Sequence, residues 1–233
     1  MKQGPKAQRQ TARTQTAQNH TAQNQTAQDR TAQGEIRISH LAKAYGDHPV
    51  FTDFSAVFEK GKTTCLMAPS GAGKTTLLRI LAGLEEADSG EIEGLEDLRK
   101  SMVFQEDRLC ENLSASANIR LVRRKKPWGR DKKAQDQISE AMTAVGLSGC
   151  EDQPVREFSG GMRQRTALLR ALYSEWDILF LDEPFKGLDE ETKELVMAYT
   201  KEQCAGKTVI FVTHDRSEAE RMGGSLYEME KKN

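Results

Sequence analysis

Apolar residues fall along this chain in two rhythms, and neither begins before residue 35. Thr63–Ala68, Ile178–Leu181 and Thr208–Val212 are short, nearly unbroken apolar runs, which predicts strands buried on both faces. Glu35–Ser39 and Phe51–Phe58 read as short antiparallel strands, and Lys100–Phe104 as a further strand. Between them the spacing lengthens to a helical period. Leu77, Leu78, Ile80 and Leu81 mark a helix over Lys74–Gly83, and Gly160–Ser174 and Glu190–Gln203 follow the same rule. The stretch Glu111–Gly149 reads as mostly helical, interrupted at Pro127-Trp128-Gly129. Strands alternating with helices predict an α/β fold whose parallel sheet is covered by helices on both faces.

The first 34 residues obey neither rhythm. From Thr11 they repeat TARTQ, TAQNH, TAQNQ, TAQDR and TAQGE, with no large apolar residue from Lys2 to Gly34. Such a segment has nothing to offset the entropy of ordering, so residues 1–34 are expected to be a disordered tail. A solenoid of five-residue repeats needs an inward apolar residue, and Ala is all that these repeats offer. The tail shares its arginines and its scarcity of acids with organelle transit peptides, but it has no amphipathic apolar face.

Charge narrows the partners. The tail holds five basic residues and one acidic, whereas the whole chain carries a net charge of -1. The remainder is therefore acidic, which argues against nucleic acid as a partner. No apolar run reaches the roughly 20 residues that span a bilayer, and no signal peptide is seen. These features predict a chain made in the cytosol that does not itself cross a membrane. Cys65, Cys110, Cys150 and Cys204 are scattered without paired spacing, as expected of free thiols in a reducing compartment.

Candidate chemistry begins at Ala68-Pro69-Ser70-Gly71-Ala72-Gly73-Lys74-Thr75-Thr76, between a strand and a helix. Gly71 and Gly73 allow a backbone approach that a Cβ obstructs, so the loop's N–H groups can line an anion site at the positive end of the helix. Lys74 is placed to reach β- and γ-phosphates, and the Thr75 hydroxyl to ligate Mg2+. A phosphate loop usually begins with Gly; Ala68 is compatible with it if its φ is negative. The run Ile178–Leu181 then delivers Asp182 and Glu183 at its C-terminal end, where α/β proteins build their sites. Successive strand residues face opposite ways, so Asp182 can hold Mg2+ through water while Glu183 polarises an attacking water. Further on, Ser159 is a good N-cap, and Gly160 and Gly161 bare the first amides of another helix. Taken singly, each feature has an ordinary reading: a Gly-rich turn, a solvated acidic turn, a capped helix.

Taken together, in this order and spacing, they resemble the ATP-binding cassette family from about Glu35 onward. The resemblance implies a P-loop NTPase core with a mostly parallel sheet, a small antiparallel β subdomain and an inserted α-helical subdomain at residues 106–165, all within an ATPase domain spanning residues 35–233. It implies an ATPase that binds ATP and Mg2+ and closes as a head-to-tail dimer, each subunit's Ser159-Gly160-Gly161 turn capping the other's nucleotide. By the same resemblance Gln105 contacts Mg2+ and the attacking water, His214 contacts the γ-phosphate, Tyr45 stacks on adenine, and Gly187-Leu188-Asp189 crosses the dimer interface. Phe158 stands where the family commonly has Leu.

Gly-Met-Arg-Gln-Arg at 161–165 with Asp-Glu-Pro-Phe at 182–185 is similar to the ATPases of nitrate, sulfonate and taurine importers. That likeness implies a subunit on the inner face of the cell membrane, driving separate transmembrane permease subunits, with a solute-binding protein as a further partner. From the short stretch after His214, no regulatory domain is expected there. A rival reading is a cassette ATPase that drives a cell-division or lipoprotein-release machine. Chromosome-maintenance ATPases are disfavoured by the short gap between Lys74 and Ser159, and nucleoside kinases and GTPases by the Ser-Gly-Gly turn and the lack of an Asn-Lys-x-Asp motif. The basic run Arg123–Lys133 around Trp128 reads either as a solvated helix–turn or as a contact for anionic lipid or an acidic loop.

Overall fold

The computed structural model describes residues 34–122 and 132–229. The chain opens with a hairpin of β1 (Glu35–Tyr45) and β2 (His48–Glu59), enters β3 (Thr63–Met67) and continues into α1 (Lys74–Ala82). β4 (Ser89–Glu93) returns to the hairpin, and β5 (Lys100–Val103) leads to α2 (Ala115–Arg120) and α3 (Lys132–Ala144). A 3-10 turn at Val155–Glu157 precedes α4 (Gly160–Leu172), β6 (Ile178–Asp182), α5 (Glu190–Cys204), β7 (Thr208–Val212), α6 (Arg216–Met222) and β8 (Ser225–Glu228). The Thr-Ala-Gln repeats and the break at Pro127-Trp128-Gly129, with most of the basic run around it, lie outside the described residues.

The unbroken apolar runs occupy the centre of a five-stranded sheet ordered β5-β6-β7-β3-β8, parallel at every pairing. β6 and β7 are buried along their whole length. Alternation along them divides two cores. Leu179, Leu181, Val209 and Phe211 face a cluster filled by α3, α4 and α5, whereas Ile178, Phe180, Ile210 and Val212 face α1 and the antiparallel sheet. Side chains that look continuous in sequence therefore serve two layers, and each strand is held by apolar burial on both faces.

The second sheet is antiparallel, ordered β2-β1-β4, and its Ile36, Ile38, Leu41 and Phe58 pack toward α1. β1 runs past the expected end at Ser39 because its register shifts between Ile38 and Leu41, where His40 takes φ 52°. That irregularity returns Leu41 to the buried face and lets pairing resume. β4 and β8 were not expected from the pattern. Each is largely exposed and carries few apolar residues, so backbone pairing to β1 and β3 defines them. Among the described residues of 111–149, helix is found in α2 and in α3 (Lys132–Ala144).

Candidate functional site

β3 ends at Met67, and residues 68–73 turn the chain into α1. Gly71 (φ 78°) and Gly73 (φ 85°) carry the turn in the left-handed region, where L side chains are strained. Ala68 is not among the non-glycine residues with positive φ, so the departure from Gly is accommodated. A Cβ on Gly73 would lie 2.4 Å from Val50 Cγ1 and 2.6 Å from Phe51 Cζ, because β2 packs directly on the turn. α1 starts with Gly73 as a cap without a side-chain hydrogen bond, and no acidic residue stands in its first turn. Its leading N–H groups and dipole are thus left to an anion. Lys74 folds back over the turn, its Nζ donating to the carbonyls of Ala68 (2.7 Å) and Pro69 (3.0 Å).

Across the sheet, Asp182 pairs in register with Val212, which in turn pairs with Leu66. The ends of β6, β7 and β3 therefore lie side by side. Asp182 is 2% exposed. Burial pushes its carboxyl up, the Thr75 hydroxyl bonded to it pulls against that, and the neighbouring Glu183 charge adds to the rise. Asp182 Oδ2 is buried and has no hydrogen-bond partner among the described residues. An orphaned carboxylate oxygen beside a threonine hydroxyl is a hard-oxygen donor set that suits Mg2+.

Glu183 turns the chain out of β6 with φ 48°, a left-handed backbone that costs on the order of 1 kcal/mol for a non-glycine residue. Its N–H donates to Val212 O at 3.0 Å, which ties the strained residue to β7. Its carboxylate meets Lys186 Nζ at 2.6 Å and lies 3.6 Å from His214 Nδ1. Burial pushes the Glu183 carboxyl up, but Lys186 and His214 outweigh it and hold the group below its ordinary value, as the anion. The His214 side chain is exposed beyond the end of β7.

A second set of expected residues lies around a cleft of about 670 Å³ whose lining includes Gln105, Gly160, Gly161, Gln164, Lys186 and Gly187. Ser159 caps α4, its Oγ accepting from Met162 N at 3.3 Å, and α4 has no acidic residue in its first turn. Gly161 lets Leu188 approach, since a Cβ there would sit 3.2 Å from Leu188 Cδ2. Gln164, buried, donates to Pro184 O at 3.1 Å. Asp189 caps α5 through Thr192 N at 2.9 Å.

Sequence reasoning missed what braces this cleft. Arg163 makes a two-pronged pair with Asp107, Nε to Oδ2 at 2.8 Å and Nη2 to Oδ1 at 3.0 Å. Arg170 donates to the carbonyls of Asp107 (2.9 Å) and Arg108 (2.8 Å), holding the turn after Gln105 onto α4. Lys186 was also missed; it touches Glu183 and lines the cleft, so it joins the two sets. Tyr45 stands apart at the β1–β2 turn, its hydroxyl donating to Glu85 and its ring 5.5 Å from Lys43 Nζ.

Comparison with known proteins identifies the family. The family model described as ABC transporter matches residues 51–186. A sulfate/thiosulfate import ATP-binding protein of Xanthomonas campestris pv. campestris is 37% identical over 198 residues, covering 79% of this chain and 58% of that protein. An Fe(3+) ions import ATP-binding protein of Haemophilus influenzae is 35% identical over 206 residues, covering 83% of this chain and 62% of that one. The chain thus spans about three-fifths of the length of the curated relatives it matches. Those names are of sulfate/thiosulfate and Fe(3+) importers, so the narrower likeness to nitrate, sulfonate and taurine importers stays at the level of the family. Among solved structures, dimeric MJ0796, a bacterial ABC transporter cassette, superposes with a TM-score of 0.73 at 26% identity, covering 83% of this chain and 94% of that one. The parallel sheet, the small antiparallel sheet and their helices form the P-loop NTPase fold of such cassettes. With the family match running from the strand that packs on Gly73 through Asp182 to Lys186, this chain belongs to the ABC transporter family.

Proposed function

We propose that this chain is the ATP-binding and ATP-hydrolysing subunit of an ABC importer, working as a dimer on separate permease subunits. The observation that carries the reading is the complementary pair at the sheet edge: an uncapped, acid-free α1 start, and a buried Asp182 oxygen beside Thr75 without a partner among the described residues. One suits a triphosphate and the other its Mg2+.

The backbone N–H groups of the 68–76 loop take the phosphates, and Lys74 exchanges the carbonyls of Ala68 and Pro69 for the β- and γ-phosphate oxygens. Thr75, Asp182 and Gln105 hold Mg2+, which when bound neutralises charge on the phosphate oxygens. Glu183, held as the anion, orients a water and accepts its proton; His214 donates to the γ-phosphate. Tyr45 offers its ring to adenine. Ser159, Gly160 and Gly161 present the α4 start to the nucleotide of the partner subunit, and Asp189 lies in the loop that crosses between subunits. Catalysis here is positioning and charge stabilisation, and dimer closure supplies the last donors.

The relatives' names as importer subunits support transport, with a permease and a solute-binding protein as partners and the inner membrane face as the place of work. No helix among the described residues is long and apolar enough to cross a membrane. The helices within 106–165 are the natural dock for the permease.

Turnover by the purified chain, alone and with Glu183→Gln, tests the chemistry. The variant is expected to bind ATP, to lose hydrolysis by about a hundredfold or more, and to accumulate as a dimer. Normal turnover would remove Glu183 as the base. Isolation of the chain from detergent-solubilised membranes should bring down a polytopic permease; recovery of a division or lipoprotein-release protein instead defeats the importer reading and leaves the ATPase standing.

A further inference from the structure

Behind His214 lies a buried ionic group built around Glu218 and Lys193. Thr213, 1% exposed, donates its hydroxyl to Glu218 Oε2 at 2.6 Å and accepts the N–H of Asp215 at 3.0 Å. Glu218, 6% exposed, faces Lys193 Nζ at 3.4 Å from its Oε1. The same ammonium lies 3.9 Å from Asp215 Oδ2 and 3.6 Å from Glu190 Oε2. Asp215 in turn caps α6, its Oδ1 accepting from Ser217 N at 2.8 Å. His214 itself projects outward, yet the residues on both sides of it are held.

A buried carboxylate is an expensive way to secure a turn, because desolvating the charge offsets much of what pairing returns. An apolar residue at 218 would fill the same space without that cost. What the ionic group adds is direction: hydrogen bonds and ion pairs fix angles where apolar contacts tolerate sliding. The far end of the group is also informative. Lys193 is one turn into α5, and its N–H donates to Asp189 O at 2.8 Å. The network therefore runs from the loop ending at Asp189, through Lys193 and Glu218, to the backbone on either side of His214.

We propose that Glu218 and Lys193 are positioning residues: through Thr213 and Asp215 they fix the backbone from which His214 reaches the γ-phosphate, and through α5 they tie that aim to the Asp189 loop. The proposal rests on the roles given above to His214 and Asp189. Glu218 and Lys193 act on the rate by way of His214.

The test is a double-mutant cycle on ATP turnover by the full chain, with kcat, KM and Tm measured for Glu218→Gln, Lys193→Met and Lys193→Arg, each alone and combined with His214→Ala. Gln keeps the shape at 218 and an acceptor for Thr213 while removing the charge that faces Lys193. The expected result is a kcat lower by about tenfold for Glu218→Gln and Lys193→Met, with KM near wild type and recovery of most of the rate in Lys193→Arg. In the His214→Ala background neither substitution should lower the rate further. Additive losses beside an impaired His214→Ala overturn the proposal and leave the His214 role intact. Wild-type turnover in His214→Ala overturns that role, and the proposal with it. Unchanged kcat in the single variants overturns the proposal alone. Should Glu218→Gln fail to fold, the partly exposed Lys193 carries the same cycle.

Discussion

Two connections leave the same edge of the parallel sheet and are built in opposite senses. The one from β3 to α1 has no acid in the first helical turn and no side-chain cap, so it exposes unpaired donors. The one from β6 to α5 spends its acids on itself: Asp189 caps the helix through Thr192 N, and Glu190 and Glu191 fill the first turn. What that second connection leaves unpaired among the described residues is an acceptor, Asp182 Oδ2. One crossover is thus short of an anion and the other short of a cation. The nucleotide and metal proposed above would supply both, so the contrast says more than either loop alone.

The contrast can be broken most forcefully at Lys74, the cation of the open connection. Lys74→Ala is expected to lower turnover by about a hundredfold or more, because a donor aimed at developing phosphate charge is removed. ATPase activity equal to wild type would end the phosphate-loop reading. A subtler change makes α1 resemble α5. Thr76→Glu places an acid in the empty first turn, and should raise the stability of the nucleotide-free chain by about 0.3–1 kcal/mol while weakening ATP binding by about tenfold. Calorimetric titration showing full affinity would mean that the open helix start is not where phosphate sits.

Asp182→Asn sharpens the cation side. The Asp182 carboxyl is raised above its ordinary value, chiefly by burial, so its contribution to stability is complete below the ordinary Asp range and is lost as pH rises through the raised value. At neutral pH without ligand the wild-type chain should therefore melt below Asp182→Asn, and Mg2+ with nucleotide should raise Tm in the wild type far more than in the variant. Equal shifts in both would separate Asp182 from the metal. Glu183 has the opposite sign: with its carboxyl lowered by Lys186 and His214 against burial, its contribution is present above the ordinary Glu range and is lost on acidification. The smallest effect is expected at the self-sufficient connection. Asp189→Ala should cost about 1 kcal/mol in chemical denaturation through the lost cap, and Asp189→Asn much less.

The open connection was the legible one. Its chemistry is local, since a strand, two glycines, a lysine and a threonine follow one another and their meaning needs no partner. β6 and β7 were legible for a related reason: burial on both faces demands apolar residues at every position. β4 and β8 were not, because Ile92 alone, or Leu226 with Tyr227, makes no period, and the pairing that defines them comes from β1 and β3. The site's braces were hidden by distance along the chain. Nothing near Asp107 in sequence announces Arg163, and nothing near Lys193 announces Glu218. The positive φ of Glu183 is likewise imposed by the turn out of β6 and the bond to Val212, and its residue type argues against it.

Two of the arginines on α4, Arg163 and Arg170, have a mechanical consequence. Arg163 grips the Asp107 carboxylate and Arg170 the backbone carbonyls of Asp107 and Arg108, so the turn after Gln105 is riveted to two places on the helix. Two rivets suppress rotation as well as sliding. The turn after Gln105 and the start of α4 at Ser159 are therefore expected to move as one rigid piece.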